Sequence, residues 1–189
     1  MRTAIAVLMG LLLGVGTVWA DAQEEEKESP AAERIISIAE GRFQMVAPKG
    51  WLRKAPRVRI IEHEFEVPPP EDEEGGRPAR LTVMSAGGKV KENIQRWLDQ
   101  FVQPDGSSTE EQAKIEKLTV ADQAVHFVDV AGTYVDPFSQ AGPQEDYRLL
   151  GAIIETKRGN YFVKLVGPAS TLAAHEQAFK DMLNGLERK

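Results

Sequence analysis

Tyr147-Arg148-Leu149-Leu150-Gly151-Ala152-Ile153-Ile154-Glu155-Thr156-Lys157-Arg158-Gly159-Asn160-Tyr161-Phe162-Val163-Lys164-Leu165-Val166 is the stretch whose reading decides the fold. Both arms, Tyr147 to Thr156 and Tyr161 to Val166, are rich in β-branched and aromatic residues. Lys157-Arg158-Gly159-Asn160 between them is turn-forming, so the whole reads as a β-hairpin. Upstream, Ala113 to Val120 and Ala124 to Tyr134 form a second strand pair, closed by Ala121-Asp122-Gln123. A loop from Val135 to Asp146, holding Pro137, Gly142 and Pro143, links the two hairpins. Downstream, the pattern changes to that of a helix from about Thr171 to Asn184. Its apolar stripe is Leu172, Phe179, Met182, Leu183 and Leu186, with Ser170 or Thr171 as N-cap and Gly185 as C-cap.

The first half extends the same plan. Phe43 to Ala47 reads as a short strand ended by Pro48-Lys49-Gly50, and Val58 to Val67 as a longer one. In the longer strand Ile61, His63, Phe65 and Val67 share one face, and Glu62, Glu64 and Glu66 the other. Pro68 to Pro78, with the acidic run Glu71-Asp72-Glu73-Glu74, reads as a solvated loop leading to a strand at Leu81 to Ala86. Lys89 to Val102 is the clearest helix, because Val90, Ile94, Trp97, Leu98 and Phe101 recur at helical spacing. Pro104-Asp105-Gly106 stops it. Consecutive hairpins with only two long helices predict an α+β domain: a mainly antiparallel sheet with helices packed on it.

The chain has 189 residues, long enough for one fold with a tail. Arg2 is the only charge before Asp21, an apolar run follows from Ala4 to Leu13, and Val18-Trp19-Ala20 places small residues at −3 and −1. This is the pattern of a secretory signal at residues 1–20, with cleavage expected after Ala20. The rival is a retained anchor, since Thr3 to Ala20 is an uncharged stretch of 18 residues. Intact mass of the exported protein decides between them, and an N-terminus at Met1 excludes cleavage. Asp21 to Glu33 (DAQEEEKESPAAE) has six acids, one lysine and no aromatic residue. Such a segment cannot repay its chain entropy, so residues 21–34 are expected to be a disordered acidic tether. Residues 35–189 then form the single domain. After cleavage no transmembrane segment is expected, and the localisation is periplasmic or secreted.

Cysteine is absent, which excludes disulfides, thiolate metal sites and cysteine nucleophiles together. No Asn-x-Ser/Thr acceptor occurs. The exported domain must therefore hold its fold by packing. Without residues 1–20 the chain carries 22 basic and 29 acidic residues, net −7. That balance gives no reason to expect a nucleic-acid partner.

Gly41-Arg42-Phe43-Gln44-Met45-Val46-Ala47-Pro48-Lys49-Gly50-Trp51 resembles the F-x-x-x-x-P-x-G-W opening of PsbP/Mog1-like domains. Gly159 to Leu165, then Pro168, Phe179 and Met182-Leu183, are similar to the closing hairpin and C-terminal helix of that family. The resemblance covers most of residues 35–187 and implies an α/β/α sandwich around an antiparallel sheet. It implies no function, because the members include photosystem accessory proteins and a nuclear Ran-binding protein.

Candidate chemistry is sparse. His63 and His126 alternate with apolar neighbours and read as hydrogen-bonded sheet residues, and His175 as a helix flank. Val83-Met84-Ser85-Ala86-Gly87 lacks the first glycine of a nucleophile elbow. Ser85-Ala86-Gly87-Gly88-Lys89 lacks the Ser or Thr that follows the lysine of a P-loop. Neither acidic run has the ligand spacing of an EF-hand, so no metal and no cofactor is expected. Arg53-Lys54-Ala55-Pro56-Arg57-Val58-Arg59 is the one basic cluster, and it adjoins Trp51. Together with Tyr134 and Phe138 around the later loop, the expected contact residues are Trp51, Arg53, Lys54, Arg57, Arg59, Tyr134 and Phe138. The expectation is a non-catalytic exported domain binding a protein or cell-envelope component. The alternative is a small-ligand or metal-binding domain with a pocket near residues 135–146. A hydrolase using Ser85 or His126 ranks third.

Overall fold

A computed structural model describes residues 32–136 and 141–189. The expected signal, nearly all of the expected tether and Phe138 lie outside these residues. Ala32–Arg34, placed by sequence within the tether, form one 3-10 turn, and Arg34 Nη1 donates to the Ala47 carbonyl. The elements that follow are β1 (Ile35–Ile38), β2 (Phe43–Val46), β3 (Leu52–Lys54), β4 (His63–Val67) and β5 (Ala79–Ala86). Next come α1 (Val90–Leu98), β6 (Phe101–Val102), α2 (Thr109–Gln112), β7 (Lys114–Val120) and β8 (Gln123–Tyr134). The chain closes with β9 (Gln144–Thr156), β10 (Gly159–Pro168), α3 (Ala169–Asn184) and β11 (Glu187–Arg188).

The hairpin read first from the sequence is the centre of the molecule. β9 and β10 pair from Thr156↔Gly159 to Tyr147↔Pro168. The large sheet runs β3-β4-β5-β10-β9-β8-β6, with β7 also on β8, and every pairing is antiparallel. A small sheet, β1-β2-β11, lies apart from it.

Strand alternation splits the apolar residues into two cores. Val125, Phe127, Leu150, Ala152, Ile154, Val163 and Leu165 meet Leu172, Phe179, Met182 and Leu183 of α3 and Ile36, Ile38 and Met45 of the small sheet. On the opposite face Val128, Val130, Leu149, Ile153 and Phe162 meet Ile94, Trp97 and Leu98 of α1. The result is the α+β layout expected, an antiparallel sheet with helices on both faces. Trp97 reaches the sheet because Gly151 leaves room. A Cβ there would sit 2.9 Å from Trp97 Cε3.

Three expected boundaries are corrected. The strand read as Val58 to Val67 begins only at His63, and 57–60 are bends and turns. The parity of the apolar residues changes between Ile60 and Ile61, so one strand cannot bury both sets. The helix read to Val102 ends at Leu98 with Asp99 as its C-cap. Phe101 instead pairs with Tyr134 in the sheet. It is buried beside Trp97 either way, so helical spacing alone could not tell the two apart. Finally, Pro168 rather than Ser170 or Thr171 precedes the first turn of α3, and Thr171 Oγ1 donates to the Arg77 carbonyl instead.

Candidate binding site

The basic run separates by role along its length. Arg53, in β3, faces inward. Its Nε donates to the Glu33 carbonyl at 2.6 Å and its Nη2 to the Ile35 carbonyl. Its Nη1 meets His63 Nδ1 at 2.9 Å, and the guanidinium lies 4.6 Å over the Phe65 ring. It clamps the start of the domain onto the sheet. Lys54 pairs with Glu66 at 3.3 Å in the surface. From Lys54 to Ile60 every residue is exposed.

The loop after Pro56 has a fixed base. Glu64, on the carboxylate face of β4, is 3% exposed. Its Oε1 accepts from Arg80 Nε at 2.8 Å and its Oε2 from Arg80 Nη2 at 2.9 Å. The Arg57 backbone N–H also donates to Glu64 Oε2, at 3.3 Å. The forked bond from Arg80 holds the Glu64 carboxyl below its ordinary range, against the opposing effect of burial. Ile61 N–H closes back on the Val58 carbonyl at 3.1 Å.

The tip carries alternating apolar and basic side chains into solvent. Val58 is 51% and Ile60 68% exposed, and they alternate with exposed Arg57 and Arg59. Among the described residues Arg59 forms no ion pair, while Arg57 Nε stands 3.7 Å from Glu64 Oε1. Open hollows of about 500 and 410 Å3 both touch Lys54 and Ala55. The sequence marked Arg57 and Arg59 as part of a basic cluster but placed them in a strand, because Arg57-Val58-Arg59-Ile60 has the alternation of one.

The remaining expected contact residues are elsewhere. Trp51 is 3% exposed, and its Nε1 donates to His175 Nδ1 at 3.1 Å. His175 Nε2 in turn donates to the Pro68 carbonyl at 2.9 Å, which fixes the neutral tautomer. Tyr134 is buried on the α1 face, stacked on Tyr147 with ring centroids 5.9 Å apart. Lys164 Nζ donates to Gln100 Oε1 at 2.6 Å and lies 3.4 Å from the Tyr134 hydroxyl. Burial pushes that ammonium down to about 8. The structure therefore groups Lys54, Arg57 and Arg59, and places Trp51, Arg53 and Tyr134 in the packed interior or its margin.

Ser85 and His126 cannot act together. Ser85 continues the Leu81 and Val83 face of β5, whereas His126 shares the Val128 and Val130 face of β8. Two strands, β10 and β9, separate them. His126 Nε2 is engaged with Glu155 Oε1 at 2.7 Å. Among the described residues no three His, Asp or Glu side chains are grouped to hold a metal ion.

No family model matches the sequence, and no curated protein does. Among solved structures, cyanobacterial PsbP (CyanoP) from Synechocystis sp. PCC 6803 is similar over 82% of this chain and 91% of its own, with a TM-score of 0.50 and 9% identity. The fold is PsbP-like. A protein of unknown function from Pseudomonas aeruginosa matches over 82% of this chain and 96% of its own, at TM-score 0.46 and 14% identity. At 9% identity the likeness to PsbP is one of fold alone. The residues that carried the sequence resemblance agree with that, since Phe43 and Trp51 are 6% and 3% exposed and serve packing.

Proposed function

We propose that this chain is an exported, non-catalytic binding domain that docks an acidic protein or cell-envelope component through the loop at Arg57 to Ile60. The observation that carries the reading is the exposure of Val58 and Ile60, at 51% and 68%, alternating with two arginines. Large apolar side chains held in water at a braced loop raise the free energy of the chain, and covering them lowers it. The flanking guanidiniums select a partner whose apolar contact is rimmed by carboxylates or phosphates. Export is supported by the n-region, apolar run and Val18-Trp19-Ala20 of the first twenty residues. Among the described residues no helix is long and apolar enough to cross a membrane.

The test is capture of partners from an envelope extract with the exported protein as bait, beside an Arg59→Glu/Ile60→Asp variant. Both substituted side chains are exposed, so the variant should keep its melting temperature. One reproducible partner, retained by the native chain and reduced at least tenfold on the variant, is the expected result. Repeated extractions with no specific partner, or equal retention by the variant, would contradict the proposal.

A further inference from the structure

A second site sits away from that loop, at the end of the molecule where hairpin turns gather. The turn between β1 and β2, the turn between β9 and β10, and the β11 strand surround a cavity of about 220 Å3. Ala39 and Phe43 supply apolar lining, and Arg42, Lys157, Arg158, Arg188 and Lys189 bring five cationic side chains to it. β11 is held there by pairing with β2, Glu187↔Gln44 and Arg188↔Phe43, and by a bond from Lys189 N–H to the Arg42 carbonyl at 2.9 Å. The backbone ladder therefore sets where Arg188 and Lys189 stand beside Arg42.

Their charges are only partly answered. Arg158 pairs with Glu40 at 3.1 Å and Lys189 with Glu187 at 2.6 Å. Among the described residues Arg42, Lys157 and Arg188 form no ion pair, although Arg188 lies 5.6 Å over the Phe43 ring. The concentration of positive charge runs against the chain as a whole, which is net −6. Like charges held around one hollow repel, and nothing in the packing requires them there, since all five side chains are exposed. A bound anion would convert that repulsion into attraction.

We infer that this cavity is a binding site for a small doubly charged oxyanion of the phosphate type, free or as a phosphate ester. Guanidinium forks match tetrahedral phosphate oxygens, and three of the five cations are arginines. The volume sets the size. It lies below the roughly 300–1,000 Å3 of pockets that enclose drug-sized ligands, so it takes an anionic head group and leaves any larger substituent in solvent. The site is independent of the docking loop, and it adds a ligand class that the docking loop does not explain.

The probe is inorganic phosphate, titrated into the purified protein at constant ionic strength while amide NMR shifts are followed. Saturable shifts at Arg42, Phe43, Arg158 and Lys189 are expected, with chloride giving none at matched ionic strength. Phosphate affinity should fall at least tenfold in Arg42→Ser/Lys157→Ser, whose melting temperature should stay near that of the native chain. A phosphate monoester giving the same shifts would place the substituent in solvent, as inferred. Absence of saturation, the same saturable response to chloride, or unchanged affinity in the variant would each overturn the site. None of these readouts involves residues 57–60, so a failure here leaves the docking reading intact.

Discussion

His63 shows how much one side chain can depend on partners that sequence does not reveal. It lies between Glu62 and Glu64, yet it faces neither carboxylate in its packed position. Its Nε2 donates to the Ser37 carbonyl at 2.8 Å and its Nδ1 accepts from Arg53. Burial, and next to it the Arg53 charge, push the imidazole below its ordinary value of 6.5 despite the Ser37 bond. The unfolded chain therefore takes up this proton at higher pH than the folded one. Stability contributed by neutral His63 is fully present above about 6.5 and is lost as pH falls from there through the lower folded value. Thermal unfolding should give a melting temperature that drops as pH falls below about 6.5, and His63→Gln should flatten that segment of the profile. An unchanged slope in the variant would remove His63 as the cause.

Gly151 is the second case at this scale. Its missing side chain admits the Trp97 ring onto the sheet. Gly151→Ala should cost about 1–3 kcal/mol by overpacking and shift the Trp97 fluorescence. Equal stability would mean that Trp97 is free to move aside.

At the scale of elements, α3 is held to the sheet by more than its apolar stripe. Arg148 on β9 donates from Nε and Nη2 to the two Asp129 oxygens on β8, at 2.8 and 2.7 Å. Nη2 also reaches Glu176 Oε2 on α3 at 2.7 Å, and Lys180 meets the other Glu176 oxygen at 2.7 Å. Lys180 and then Arg148 hold the Glu176 carboxyl down to about 2. The Arg148 and Asp129 side chains are only 16% and 12% exposed. Removing one partner strands a charge, so Arg148→Leu should cost about 3–5 kcal/mol in denaturant unfolding. The double variant Arg148→Leu/Asp129→Leu should recover a large part of that loss. A double variant no more stable than the single one would mean that the side-chain packing, rather than the ion pair, carries the energy.

For the whole molecule, the sheet was legible because its information is local. The runs Tyr147 to Thr156 and Tyr161 to Val166 around Lys157-Arg158, and the Ala121-Asp122 turn, where both φ values are positive, announce hairpins within a few residues. The periodicity of Ile94, Trp97 and Leu98 did the same for α1. Features set by distant partners were not legible. Phe101 became a strand residue by pairing with Tyr134, and Glu64 became buried by meeting Arg80. The contact residues divided for the same reason. Trp51 and Tyr134 were grouped with Arg57 and Arg59 as contact residues, but each is buried against a ring on another element, His175 and Tyr147.

By itself the sequence determined an α+β domain with an antiparallel sheet, because turns and hydrophobic periods act over a few residues. The tertiary structure alone decided which charges are buried as braces, which arginines and aliphatic side chains remain in solvent at 57–60, and that five cations meet around one cavity. Those outcomes depend on which strands become neighbours. A chain read one residue at a time carries no measure of that distance.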